Sequence, residues 1–367
     1  MRGCYVGGMG WKPRLGVRMG VGIAAALCLG GATPAARAAA PTLPQLVGQR
    51  LVVAMKGTRA NAPLLARVRA GQVGGVILFS NNVVSKAQVA RLTAALQAAA
   101  HAGGRPPLII ATDQEGGLVR RIPWAPPKRS AAELGTLPAS VSQTSGANTG
   151  AALHAIGINL DLAPVADVPA GPADFIEQQQ RAFSTSRFTV ASDAAAFAKG
   201  LGQGGTLPTM KHFPGLGLAT VSTDQAVVRI DLGRSRLIRA LLPYQVAFRQ
   251  TLGPVVMLST AIYPALDSHA AAWSRPIIHG LLRGTLGFSG TTITDSLDAA
   301  AAARGLTDPV VGLRSAEAGA DLLLVTGSQA TSKGVYASLL AAAQSGTLPR
   351  SRLTASYSRI LGLKSRL

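Results

Sequence analysis

The 367-residue chain is 48% hydrophobic and 14% charged, which excludes a disordered polymer and leaves enough apolar surface for one large core. Its formal net charge is +20. Its basic residues are scattered, without the Lys/Arg clusters and interleaved aromatics of a nucleic-acid groove, so the charge fits a basic protein near an anionic envelope better than a DNA binder.

The first element in chain order is a leader. Lys12, Arg14 and Arg18 precede the apolar run "MGVGIAAALCLGGA", and "ARA" at 36–38 supplies a small-x-small cleavage site. The run is shorter than the ~20 apolar residues of a membrane span, which favours a signal peptide over an anchor. Residues 1–38 are therefore expected to be a signal peptide and 39–367 the mature domain. Five of the positive charges and both cysteines, Cys4 and Cys28, lie in the leader, leaving a mature chain of net charge +15 with no thiol.

From residue 50, eight short apolar runs follow at 50–55, 74–79, 107–113, 158–167, 207–213, 254–261, 291–296 and 320–326. Helical patterns stand between them at 86–100, 191–202, 235–250, 275–285, 309–318 and 332–345, with a last helix at about 350–363. The strands are mostly continuous apolar runs rather than alternating ones, as in a parallel sheet covered on both faces. Eight such units predict an α/β fold, a single (β/α)8 TIM-type barrel. A doubly wound open sheet is the alternative, weakened because no Gly-x-Gly-x-x-Gly follows the first strand.

A parallel barrel carries its chemistry at the C-terminal ends of its strands. Those ends hold Asn81 and Asn82, Asp113 and Glu115, Asp167, the pair Lys211 and His212, and Asp295. One carboxylate after a strand can simply cap the next helix. Five of eight strands ending this way predict a polar pocket. Carboxylates beside a Lys-His pair suit sugar hydroxyls, and an ionised carboxylate can attack an anomeric carbon. No metal-ligand spacing, P-loop or Gly-x-Ser-x-Gly elbow is present, so no metal or cofactor is expected.

In order, "GGVILFSNN", "ATDQEGGLVRRI", "GINLDLAPVADV", "RAFS", "KHFPGLG", "IYPALD", "ITDSLD" and "EAGADLLLV" resemble the single-domain β-N-acetylhexosaminidases of glycoside hydrolase family 3, over nearly all of 45–330. The resemblance implies a retaining glycoside hydrolase that removes terminal N-acetylhexosamine from cell-wall or other glycans. It implies that Asp295 is the nucleophile, with Asp298 the weaker claimant a turn into the next helix. It likewise implies that Asp113, Arg121, Arg181, Lys211 and His212 bind the sugar.

The chain also departs from the family. There the loop after "KHFPG" carries an Asp-x-His acid/base pair; here those positions fall on Ser222 and Asp224, and the next histidine is His269. Leu118, Leu216 and Thr260 stand where relatives carry arginine, histidine and histidine. Asp224 is the first candidate acid/base and Glu177 the second. A catalytically silent sugar-binding barrel and a glycosidase or transglycosylase of altered specificity are the competing readings. The expected partner is a carbohydrate, with peptidoglycan-derived glycans among the candidates. No nucleic acid and no membrane span after leader cleavage are expected. The protein is expected to be a monomer that is secreted or held in the periplasm or cell envelope.

Overall fold

The computed structural model describes residues 40–250 and 253–367, together with a few isolated positions between 10 and 16. The apolar run and cleavage motif of the expected leader lie outside the described residues. The chain from Pro41 to Leu367 forms one compact unit. No helix among the described residues is long and apolar enough to cross a membrane.

The eight apolar runs become eight strands: β1 Leu51–Ala54, β2 Gly75–Ile77, β3 Ile109–Thr112, β4 Leu160–Asp161, β5 Leu207–Phe213, β6 Val255–Leu258, β7 Thr292–Thr294 and β8 Leu323–Val325. Each lies parallel to its sequence neighbour, and β8 returns to pair with β1 through Leu51 and Leu323. Between β7 and β8, Thr294 N–H donates to the Leu322 carbonyl at 3.0 Å and Leu322 N–H to the Thr292 carbonyl at 2.8 Å. The sheet closes on itself, so the fold is the barrel and not the open sheet.

The unalternating strands have a direct packing cause. Val52, Ala54, Ile77, Ile109, Ala111, Val255, Met257 and Leu324 fill the barrel interior. Their neighbours Leu51, Val53, Val76, Ile110, Val256 and Leu323 pack outward against the helices. Both faces of each strand are dry, so most positions are apolar, and the buried polar ones such as Asp161, Lys211 and His212 gather toward the strand ends.

Two elements are shorter than the sequence suggests. The run at 158–167 yields only Leu160–Asp161 as regular strand, because Pro164 has no N–H to donate to the ladder; the pairing resumes at Val165 opposite Lys211. The single helix expected over 235–250 is two, Arg234–Ala240 and Leu242–Arg249, with Pro243 in the first turn of the second. A helix at Ala139–His154 carries no apolar stripe for periodicity to detect. It lies against Arg187–Gln203 through glycines: a Cβ on Gly146 would strike the Phe197 carbonyl, and one on Gly200 the Gln143 carbonyl.

The C-terminal helix Arg350–Lys364 plugs the opposite end of the barrel, adding Ile360 and Leu363 to the interior cluster. Lys364 is buried there, its Nζ donating to Gln49 Oε1 at 2.7 Å and the Gly74 carbonyl at 2.8 Å. Burial pulls its pKa down to about 7. An unfolded lysine titrates near ~10.4. Between those values the unfolded chain binds more protons, so this residue makes stability rise with pH across that window, by at most about 1.4 kcal/mol per pH unit. Below pH 7 both states are protonated and the cost of burying the ammonium is fully present. Lys364→Met is expected to remove that slope from a series of thermal melts between pH 7 and 10. An unchanged slope would place the titration elsewhere.

Candidate active site

At the C-terminal mouth of the barrel lies a cavity of ≈ 230 Å³. The ends of β2, β3, β5 and β7 bring Phe79, Asp113, Lys211, His212, Asp295 and Ser296 to its wall, and Leu216, Ser222, Thr223 and Asp224 come from the loop after β5. Glu115, Val119 and Arg121 arrive on a short antiparallel hairpin after β3, in which Gln114 pairs with Arg120. All seven expected site residues, Asp113, Arg121, Arg181, Lys211, His212, Asp224 and Asp295, line this one cavity.

The floor of this cavity is an ion network. Lys211 Nζ sits 2.8 Å from Asp113 Oδ1 and 2.6 Å from Glu115 Oε1. Glu115 also receives the fork of Arg181, from Nε at 2.7 Å and Nη2 at 2.9 Å. Burial alone would raise the Glu115 pKa, but Arg181 and Lys211 outweigh it and hold the carboxyl far below its ordinary range. Burial alone would likewise depress the Lys211 ammonium, and Asp113 and Glu115 reverse the sign. Glu115, Lys211 and Arg181 thus stay charged in a nearly dry setting. Such buried pairs fix geometry more than they stabilise the fold.

His212 is fixed from behind. Its Nδ1 lies 2.7 Å from Asp167 Oδ2, and the carboxylate can only accept, so Nδ1 carries the proton and Nε2 is left for other partners. The other Asp167 oxygen accepts the N–H groups of His212 at 3.1 Å and Leu216 at 2.7 Å, tying strand end and loop together. Below them Asp161 accepts from Gln114 N–H at 2.9 Å, and burial pushes its carboxyl up to about 8, so it is largely protonated at neutral pH. Arg121 differs from Arg181. Its guanidinium stands 5.9 Å from the centre of the Phe79 ring and forms no side-chain hydrogen bond among the described residues. Among the described residues it is the cation of this cavity that has no carboxylate partner.

The two carboxylates after β7 separate cleanly. Asp295 lines the cavity and accepts only the Ser296 N–H, at 2.8 Å, among the described residues. Asp298 does not line it; its oxygens accept the Thr326 N–H at 2.7 Å and hydroxyl at 2.7–2.8 Å, which fastens the end of β8. Asn82 is structural in the same way, bonding the Met55 and Gly57 carbonyls.

Asp224 stands exposed on the loop, yet its carboxyl is pushed up to about 6. Partial desolvation is the first cause and the negative charge of Asp295 the second, opposed by His212 and Arg181. Glu177 is not on the cavity wall, although its helix Phe175–Gln178 contributes Phe175. Glu115 and Asp167 stood out in the sequence only as polar strand ends. Their roles as the bridge between Lys211 and Arg181 and as the anchor of His212 emerge from the fold.

The sequence model of the glycosyl hydrolase family 3 N terminal domain matches residues 42–363. The chain is 36% identical over 345 residues to an uncharacterized secreted glycosyl hydrolase of Arthroderma benhamiae, covering 92% of this chain and 97% of that protein. It is 35% identical over 286 residues to a beta-hexosaminidase of Alkalilimnicola ehrlichii, covering 75% of this chain and 80% of the relative. Among solved structures, a beta-N-acetylhexosaminidase from Beutenbergia cavernae superposes with a TM-score of 0.82 at 34% identity, covering 89% of this chain and 99% of its own. A family 3 beta-N-acetylglucosaminidase from a Paenibacillus species gives 0.84 at 32% identity; 89% of this chain is covered, and it spans 63% of that longer protein. With a closed barrel and a carboxylate-lined mouth in the same chain, the protein belongs to glycosyl hydrolase family 3 and is a glycosidase built on that family's N-terminal barrel.

Proposed function

We propose that the protein is an exported retaining β-N-acetylhexosaminidase in which Asp295 is the nucleophile and Asp224 the acid/base. One observation carries the reading: Asp295 and Asp224 share a cavity with the Asp113–Lys211 pair, and the charge of Asp295 helps keep the Asp224 proton in place. The N-acetylhexosamine preference is supported by the names of the relatives, and export by the leader pattern and the secreted relative.

In the first step the Asp295 carboxylate attacks the anomeric carbon. Asp224 gives its proton to the departing oxygen, leaving a glycosyl ester on Asp295. Esterification removes the negative charge of Asp295, so the repulsion that held the Asp224 proton disappears and Asp224 favours its carboxylate form. It can then take a proton from the water that attacks the same carbon, restoring both residues. Asp113, Arg121, Lys211 and His212 grip the hydroxyls throughout, and Arg181 acts by bracing Glu115.

The experiment is turnover of an aryl N-acetyl-β-glucosaminide against the matching aryl β-glucoside by the chain from Ala39 onward. Turnover of the first in clear preference to the second is expected. A silent barrel would turn over neither, and a preference for the glucoside would remove the N-acetyl assignment.

A further inference from the structure

Behind the loop that carries Leu216 into the active-site cavity lies a second, separate cleft of ≈ 590 Å³, within the ~300–1,000 Å³ range of small-ligand sites. Its floor is apolar, formed by residues such as Pro214, Leu218 and Ile230, and its charged lining consists of Arg187, Arg236 and Arg239 with no acidic side chain. Arg236 and Arg239 are exposed and Arg187 is half-buried, its guanidinium 4.8 Å from the centre of the Phe188 ring. None of the three forms an ion pair or side-chain hydrogen bond among the described residues; nearby Asp231 is engaged by Arg229 instead, at 3.8 Å. Three guanidinium groups without a carboxylate partner among the described residues thus line one concave, largely apolar surface, a pattern complementary to an anion that carries apolar faces.

We propose that this cleft binds an acidic stretch of glycan, a carboxylate-bearing oligosaccharide whose ring faces lie on the apolar floor while its carboxylates meet the arginine forks. Planar guanidinium groups match carboxylates in bidentate fashion, and apolar side chains suit the C–H faces of sugar rings. The loop shared with the catalytic cavity places this site beside the one that holds the terminal sugar. An anionic polymer could thereby be retained while its end is processed. The inference rests on the glycosidase reading only for the class of ligand, so binding and turnover are measured separately.

The test is calorimetric titration of the chain from Ala39 onward with a galacturonic acid tetramer, with chitotetraose as the neutral counterpart and tripolyphosphate as charge without rings. The acidic tetramer is expected to bind, and Arg236→Ser/Arg239→Ser to weaken it about tenfold or more, as the loss of charge-assisted bonds implies. Lys86→Ser/Arg91→Ser removes the same charge from two exposed positions of the helix Lys86–Ala102 and is expected to cost less than about twofold, the scale of screened surface charge. Aryl glycoside turnover should be unchanged in both variants, which also shows that they fold. Equal losses in the two variants would mean the net charge, not the cleft, attracts the polymer, and would overturn the proposal. Tripolyphosphate binding as tight as the tetramer's would overturn the glycan assignment. Binding at the cleft by a wild-type chain that turns over no glycoside would instead overturn the catalytic reading and leave the cleft standing.

Discussion

Asp295→Ala is expected to lower kcat on every glycoside substrate, activated or not, by at least about 10⁴-fold, the scale on which an enzyme loses its covalent nucleophile. The loss should fall on kcat more than on KM, because Asp113, Arg121, Lys211 and His212 remain to hold the sugar. The Asp295 carboxylate has no protein partner beyond the Ser296 N–H among the described residues, so its removal breaks no salt bridge, and the variant should melt close to the parent. A 2-fluoro glycoside with a good leaving group, which forms the ester faster than water can cleave it, should label the wild type at Asp295 and leave the variant unlabelled. Mass mapping of the label to Asp298 would assign the chemistry to the other carboxylate of "TDSLD". That outcome would also require Asp298 to give up the Thr326 N–H and hydroxyl that now fasten it.

How much of this site the sequence reveals depends on what kind of information each residue needs. Asp113, Lys211, His212 and Asp295 are visible because they end apolar runs, and a parallel barrel points all such ends one way. Closure of the barrel is different in kind: the run at 320–326 reads as a strand in any topology, and only its pairing with Leu51–Ala54 decides the matter. Glu115 shows an intermediate case. Residues two apart in an extended chain share a face, so the spacing of Asp113 and Glu115 hints that both reach the same partner. That the partner is Lys211, nearly a hundred residues on, is fixed by strand order. Asp167 has no local signal at all for its contact with His212, since β4 and β5 meet only after folding. The helix at Ala139–His154 is hidden for the opposite reason: its buried face is mostly small residues, Ser142, Gly146, Thr149 and Gly150 with Leu153, and close backbone packing leaves no apolar stripe to read.

Asp224→Ala is expected to divide substrates by leaving group. The acid works on the departing oxygen, so a glycoside with an alcohol or sugar leaving group should lose about 10²–10⁴-fold in kcat/KM. A dinitrophenyl glycoside, whose leaving group departs unprotonated, should lose little in the same parameter. In the wild type, kcat/KM on the poor leaving group should fall as pH rises through about 6, because Asp224 must be protonated to act and its carboxyl titrates there. That limb should be absent from the dinitrophenyl profile and from the variant. The variant should also accumulate its glycosyl ester on dinitrophenyl substrates, since the same residue has to accept the proton of the attacking water. Azide attacks without needing a base, so it should restore turnover and yield the β-glycosyl azide. The configuration of that product follows from two inversions at one carbon, the first by Asp295. Equal losses on both substrate classes without azide rescue would make Asp224 an ordinary loop residue. The proton would then have to come from another group, and Glu177, off the cavity wall, could supply it only if its helix moved.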